Sequence, residues 1–61
     1  MTLNRPAAIG DIVEFSFPSW GDDYTELGYI LEIDRVKGRI LVNTSDGDVF
    51  YVSMRNVRDY A

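Results

Sequence analysis

GRILVNTSDGDVFYVSMRNV, residues 38–57, decides how the rest of the chain is read. The runs RILVNTS (39–45) and DVFYVSM (48–54) are rich in β-branched and aromatic residues and are bounded by turn formers. Such runs read as strands. Between them stands Asp46-Gly47, and Asp-Gly between two β runs is the strongest short-range signal for a hairpin. Gly47 is therefore expected at positive φ. SMRNV (53–57) is too short for an α-helix and fits one 3-10 turn. VRDY (57–60) then closes as a short strand.

Working back toward the start, DRVKGR (34–39) offers another tight turn, with Gly38 free to take a positive φ. LGYILEID (27–34) reads as a strand whose pattern slips, because Ile30 and Ile33 are three apart. A bulge or strong bend near Gly28 is expected from that slip. DIVEFSF (11–17) alternates cleanly, with Val13, Phe15 and Phe17 on one side. Between these two strands lies the loop PSWGDDYTE, residues 18–26, rich in turn formers. Residues 1–9 read as a tail, where Pro6 disfavours helix at Arg5.

No segment shows the i, i+3, i+4, i+7 apolar spacing of an amphipathic helix. The expected fold is all-β: five short strands in a highly bent, partly closed antiparallel small barrel over residues 10–61, with one 3-10 turn before the last strand. The expected core is Val13, Phe15, Ile30, Ile33, Ile40, Val42, Val52 and Val57, with Tyr29, Leu31 and Phe50 at its margin.

The chain has 61 residues and neither cysteine nor histidine. It makes one domain, and a core this small rarely supplies more than ~3–5 kcal/mol, so such folds often add a disulfide, a metal or a partner. Disulfides and thiolate or imidazole metal sites are excluded here. Ten acids against six bases give a net charge of -4. That opposes adsorption to nucleic acid or anionic membrane. The first residues hold no apolar leader and no stretch is long enough to span a membrane. A cytoplasmic protein, complete from its first methionine and without cofactor, is expected.

The order of elements resembles the Src-homology-three-like small barrels of the KOW and Tudor type. The resemblance rests on GDIVEF, GYILEID and GRILVNTSDGDVFYVSMRNV, and within them on Gly10, Asp11, Val13, Phe15, Gly28, Ile30, Ile33, Asp34, Asp46, Gly47 and Val57. These positions make turns and core, so the likeness concerns fold, and fold does not imply function. It implies a ligand surface where the long first loop lies beside the second loop and the 3-10 turn. By that likeness Trp20 and Tyr24 present amphipathic faces to a partner, while Asp22, Asp23 and Glu26 supply negative potential. Tryptophan and tyrosine are enriched in interface hot spots. The competing reading is that Trp20 folds back to cap the core.

Other candidates are weaker. A Tudor-like cage for a methylated cation needs three or four aromatics, and TSDGD, the loop that would complete it, has none. Arg35, Lys37 and Arg39 share one hairpin and would point to one side of an extended arm, as a KOW-like nucleic-acid contact requires. No aromatic stacking platform is interleaved with them. The plainer reading pairs them locally, Asp34 with Arg35 or Arg39, at roughly 0–1 kcal/mol. DDYTE (22–26) lacks the ligand spacing of a calcium loop. Ser16, Ser19, Ser45 and Ser53 have no evident base, so no catalytic residue is assigned and an enzyme is not expected. The expected function is protein binding by an accessory subunit, an adaptor or a small inhibitor of the sort phages encode, acting through loop 17–27. The alternatives are a KOW-like nucleic-acid or ribonucleoprotein module and a docking subunit of an electron-transfer complex.

Overall fold

A computed structural model describes residues 7–21 and 24–60, without the side chains of Trp20 and Tyr60. Five strands form one antiparallel sheet: β1 (Ile12–Phe15), β2 (Glu26–Asp34), β3 (Arg39–Thr44), β4 (Val49–Ser53) and β5 (Val57–Tyr60). Two single 3-10 turns complete it, η1 (Pro18–Trp20) and η2 (Met54–Asn56). The second was expected and the first was not. Pro18 opens η1, where its fixed φ suits the turn and its missing N–H costs nothing. None of the helical turns is long and apolar enough to cross a membrane.

The sheet order is β4-β3-β2-β1-β5. Three strands separate β4 from β5, so at ~4.8 Å per strand a flat sheet would hold them about 19 Å apart. Yet only η2 joins them, and at ~2 Å of rise per residue it spans less than half of that. The sheet must therefore curl strongly. Its ladder does not close, and β4 and β5 remain its two edges.

The concave side holds the core: Ala7, Val13, Phe15, Ile30, Ile40, Val42, Val52 and Val57. Phe17, Ile33, Phe50 and Met54 pack around it half-buried. Seven of the eight expected core positions are buried. The eighth, Ile33, is only half-buried because the β2–β3 register shifts between Ile30 and Glu32. This bulge explains the three-residue gap between Ile30 and Ile33, and it lies C-terminal to the place expected for it. Gly28 has a different task. A Cβ there would stand 2.9 Å from Val42 Cβ and 3.0 Å from Phe15 Cε1, so the glycine lets β1, β2 and β3 close over the core. Ala7 was read as tail and is buried; the Arg35 guanidinium donates to its carbonyl at 3.1 Å. Gly38 and Gly47 have φ of 66° and 87°, as their turns require.

Candidate functional site

The long first loop begins and ends against different parts of the sheet. Its first residue, Ser16, is buried; its N–H donates to the Asn56 carbonyl at 3.1 Å, and its Oγ accepts from Arg58 Nε at 3.1 Å. The start of the loop is thus tied to η2. The Met54 N–H donates to the Gly38 carbonyl at 2.9 Å, which brings the second loop to the same place. After η1, Gly21 turns the chain with φ 88°. Asp22 and Asp23 lie outside the described residues, as does the side chain of Trp20.

The end of the loop faces the β3–β4 hairpin instead. Tyr24, Glu26, Thr44, Asp46, Asp48 and Phe50 line a shallow groove of about 240 Å³. Phe50 forms its floor and is backed by core, with ring centroids 5.7 Å from Phe17 and 6.4 Å from Phe15. Tyr24 is exposed, and its hydroxyl donates to Glu26 Oε1 at 2.7 Å. That hydrogen bond, and then the charge of Glu26, hold the Tyr24 phenol pKa above its ordinary value of 10.0; slight desolvation and the Asp46 charge add to the effect. The phenol is neutral at physiological pH, and the bond ties its hydroxyl to Glu26 at the rim of the groove. Across the groove the hairpin is closed by the Thr44 N–H to the Asp48 carbonyl and the Gly47 N–H to the Thr44 carbonyl, each 2.9 Å.

Of the five residues expected to bind a partner, the structure therefore places Tyr24 and Glu26 together. It adds Asp46, Asp48 and Phe50, which the sequence reading had assigned only to a hairpin. The signal was present in TSDGD, whose two aspartates flank the turn; the missing aromatic lies two residues beyond Asp48. The expected setting beside the second loop and the 3-10 turn holds for the start of the loop and not for Tyr24 and Glu26.

The basic hairpin is arranged differently. Asp34 Oδ1 accepts the N–H groups of Val36 and Lys37 at 3.1 and 3.0 Å, so it braces the turn. Arg35 reaches back to Ala7, and the Arg39 guanidinium lies over the Tyr51 ring, 4.1 Å from its centroid. Arg35, Lys37 and Arg39 are therefore not spread as one free stripe, and the local pairing of Asp34 with Arg35 or Arg39 is replaced by these contacts. Among the described residues no group of three or more histidine, cysteine, aspartate or glutamate side chains is placed to hold a metal ion. No family model, curated protein or solved structure matches this chain.

Proposed function

We propose that the protein is a non-enzymatic binding module of the Src-homology-three-like small-barrel kind, and that it holds a basic segment of a partner protein in the groove between Tyr24–Glu26 and the β3–β4 hairpin. The observation that carries this reading is the pairing of an aromatic floor and wall, Phe50 and Tyr24, with three carboxylates, Glu26, Asp46 and Asp48, around one concavity. Apolar surface beside negative charge suits a lysine or arginine side chain, whose methylene stem packs while its head stays paired. A neutral phenol held by Glu26 costs little ordering on binding. Trp20, Asp22 and Asp23 belong to the same loop and extend the contact in this reading. The acidic groove disfavours a phosphate backbone, which ranks nucleic acid below protein as partner.

The test is affinity capture from the native lysate, with a nuclease-treated control and mass-spectrometric identification. Capture by the parent chain should resist nuclease, be lost with Asp46→Lys and Asp48→Lys together, and survive Lys37→Ala. Capture that disappears with nuclease, or depends on Lys37 and not on the aspartates, would reverse the assignment in favour of a nucleic-acid module.

A further inference from the structure

A second polar concavity carries the opposite charge. Ser16, Arg55, Asn56, Val57 and Arg58 line a groove of about 290 Å³ beside η2. Two of its five lining residues are arginines and none is an acid, in a chain where ten acids outnumber six bases.

The groove is held in place by the fold itself. The β1–β5 register passes from Glu14↔Asp59 to Phe15↔Val57, which leaves Arg58 as the extra residue of a bulge. Bulges re-aim a side chain. Here the re-aimed group is the Arg58 guanidinium, whose Nε donates to Ser16 Oγ at 3.1 Å. Ser16 is only 6% exposed, and its N–H donates to the Asn56 carbonyl at 3.1 Å. At the other end of η2, the Met54 N–H donates to the Gly38 carbonyl at 2.9 Å. One nitrogen of Arg58 is thus used to fix the guanidinium. Its two terminal nitrogens make no hydrogen bond or ion pair among the described residues. The same holds for Arg55, which is exposed on η2.

We propose that this groove receives one carboxylate of a partner protein, from an aspartate or glutamate side chain. Guanidinium groups present paired N–H donors in a planar fork that matches an oxyanion. The Ser16 hydroxyl and the Asn56 amide add neutral donors in the same lining.

The surroundings select a single carboxylate over a run of phosphates. Glu14 and Asp59 face each other on the next rung of β1–β5, and neither lines the groove. The Glu14 carboxylate is drawn toward the β2 side of β1, where its Oε2 accepts from Thr25 Oγ1 at 3.3 Å. This leaves room for one small anion but repels a nucleic-acid backbone drawn past it. No aromatic ring lines the groove on which a base could stack. Val57 and the two arginine stems offer a small free acid little apolar surface to cover, so the carboxylate is one carried by a protein.

The test is amide chemical shifts of the labelled full chain, titrated at low ionic strength with acetyl-Ala-Glu-Ala-amide. Saturable shifts are expected at Ser16, Asn56, Val57 and Arg58, and none with the peptide that has glutamine in place of glutamate. Arg55→Gln removes no bond within the chain and should weaken binding about tenfold, the worth of one charge-assisted hydrogen bond, with circular dichroism that of the parent. Arg58→Lys keeps the charge, loses the fork and should weaken it too. No saturable shift up to ~10 mM peptide, where a ligand of ~1 mM affinity is already bound, would overturn the proposal. So would the same shifts in a chain carrying both Arg55→Gln and Arg58→Gln, or tighter binding of inorganic phosphate or an oligonucleotide than of the peptide. The shifts are local to η2, so this site stands or falls apart from the acidic groove.

Discussion

The two turns at the ends of β3 are built alike and used differently. Each closes a hairpin of the sheet, each depends on a glycine at positive φ, and at each glycine a Cβ would meet nothing within 4 Å. At the Asp34–Arg39 end the polar side chains are turned onto the chain itself: Asp34 onto two N–H groups, Arg35 onto Ala7, Arg39 onto Tyr51. At the Thr44–Val49 end the turn is held by backbone bonds and by the Thr44 hydroxyl, which donates to the Asp48 carbonyl at 3.5 Å, and Asp46 and Asp48 line the groove. Side chains spent on holding a turn are unavailable to a partner. Turns that hold themselves leave theirs free, and that is why the acidic end is the candidate site.

The comparison breaks most visibly at the loop that completes the acidic end. Trp20→Ala should lower partner affinity by at least ~2 kcal/mol, as hot-spot truncations do, and leave the thermal melt near that of the parent. Because Trp20 is the sole tryptophan, its emission in the free protein reports its surroundings directly, and a red-shifted, readily quenched signal is expected. Blue-shifted, protected emission together with an unfolded variant would make Trp20 a cap on the core.

Next come the glycines, which should behave as equals. Gly47→Val and Gly38→Val should each cost roughly 1–3 kcal/mol, the range for strain at a disallowed backbone position. Thermal melts matching the parent would show that neither turn holds the φ described. The aspartates should then separate the two ends. Asp34→Ala removes two hydrogen bonds on an exposed turn and should cost about 1 kcal/mol in chemical denaturation. Asp46→Ala should stay within about 0.5 kcal/mol, as surface changes do. Equal costs would erase the distinction drawn between the ends.

The smallest effect is spectroscopic. The Tyr24 phenol should ionise above pH 10.0, and Glu26→Gln should move that titration down. The sign follows from its raised folded-state pKa: whatever stability the bond contributes is complete below the unfolded pKa and fades as pH rises through the folded one. Subtracting the alkaline absorbance titration of Tyr24→Phe from that of the parent isolates this phenol from the other tyrosines.

The strands, both glycine turns and most of the core were legible because period-two alternation and Asp-Gly are local signals. Ala7 was not, since a small residue before the first strand carries no periodicity, and the Arg35 guanidinium that meets its carbonyl comes from the second loop. The bulge was legible as a broken spacing, but its position was not. Gly28 looked like a place to bend, whereas its role is close packing against Val42 and Phe15, a relation between strands. The acidic groove was half legible for the same reason. Tyr24 and Glu26 stand out in their loop, while Asp46, Asp48 and Phe50 join them only through the curl of the sheet.

β1 is held on one side by β2, its neighbour along the chain, and on the other by β5, the last strand to be made. The bond from Arg58 to Ser16 joins groups 42 residues apart. Loop-closure entropy must be spent before such a contact gives anything back, so the hairpins β2–β3 and β3–β4 should form early and the β1–β5 ladder should limit the folding rate. During synthesis β1 therefore stays an unguarded strand edge until Val57–Tyr60 emerges. Its alternating apolar side chains make that interval the time at which the nascent chain is most open to wrong pairing.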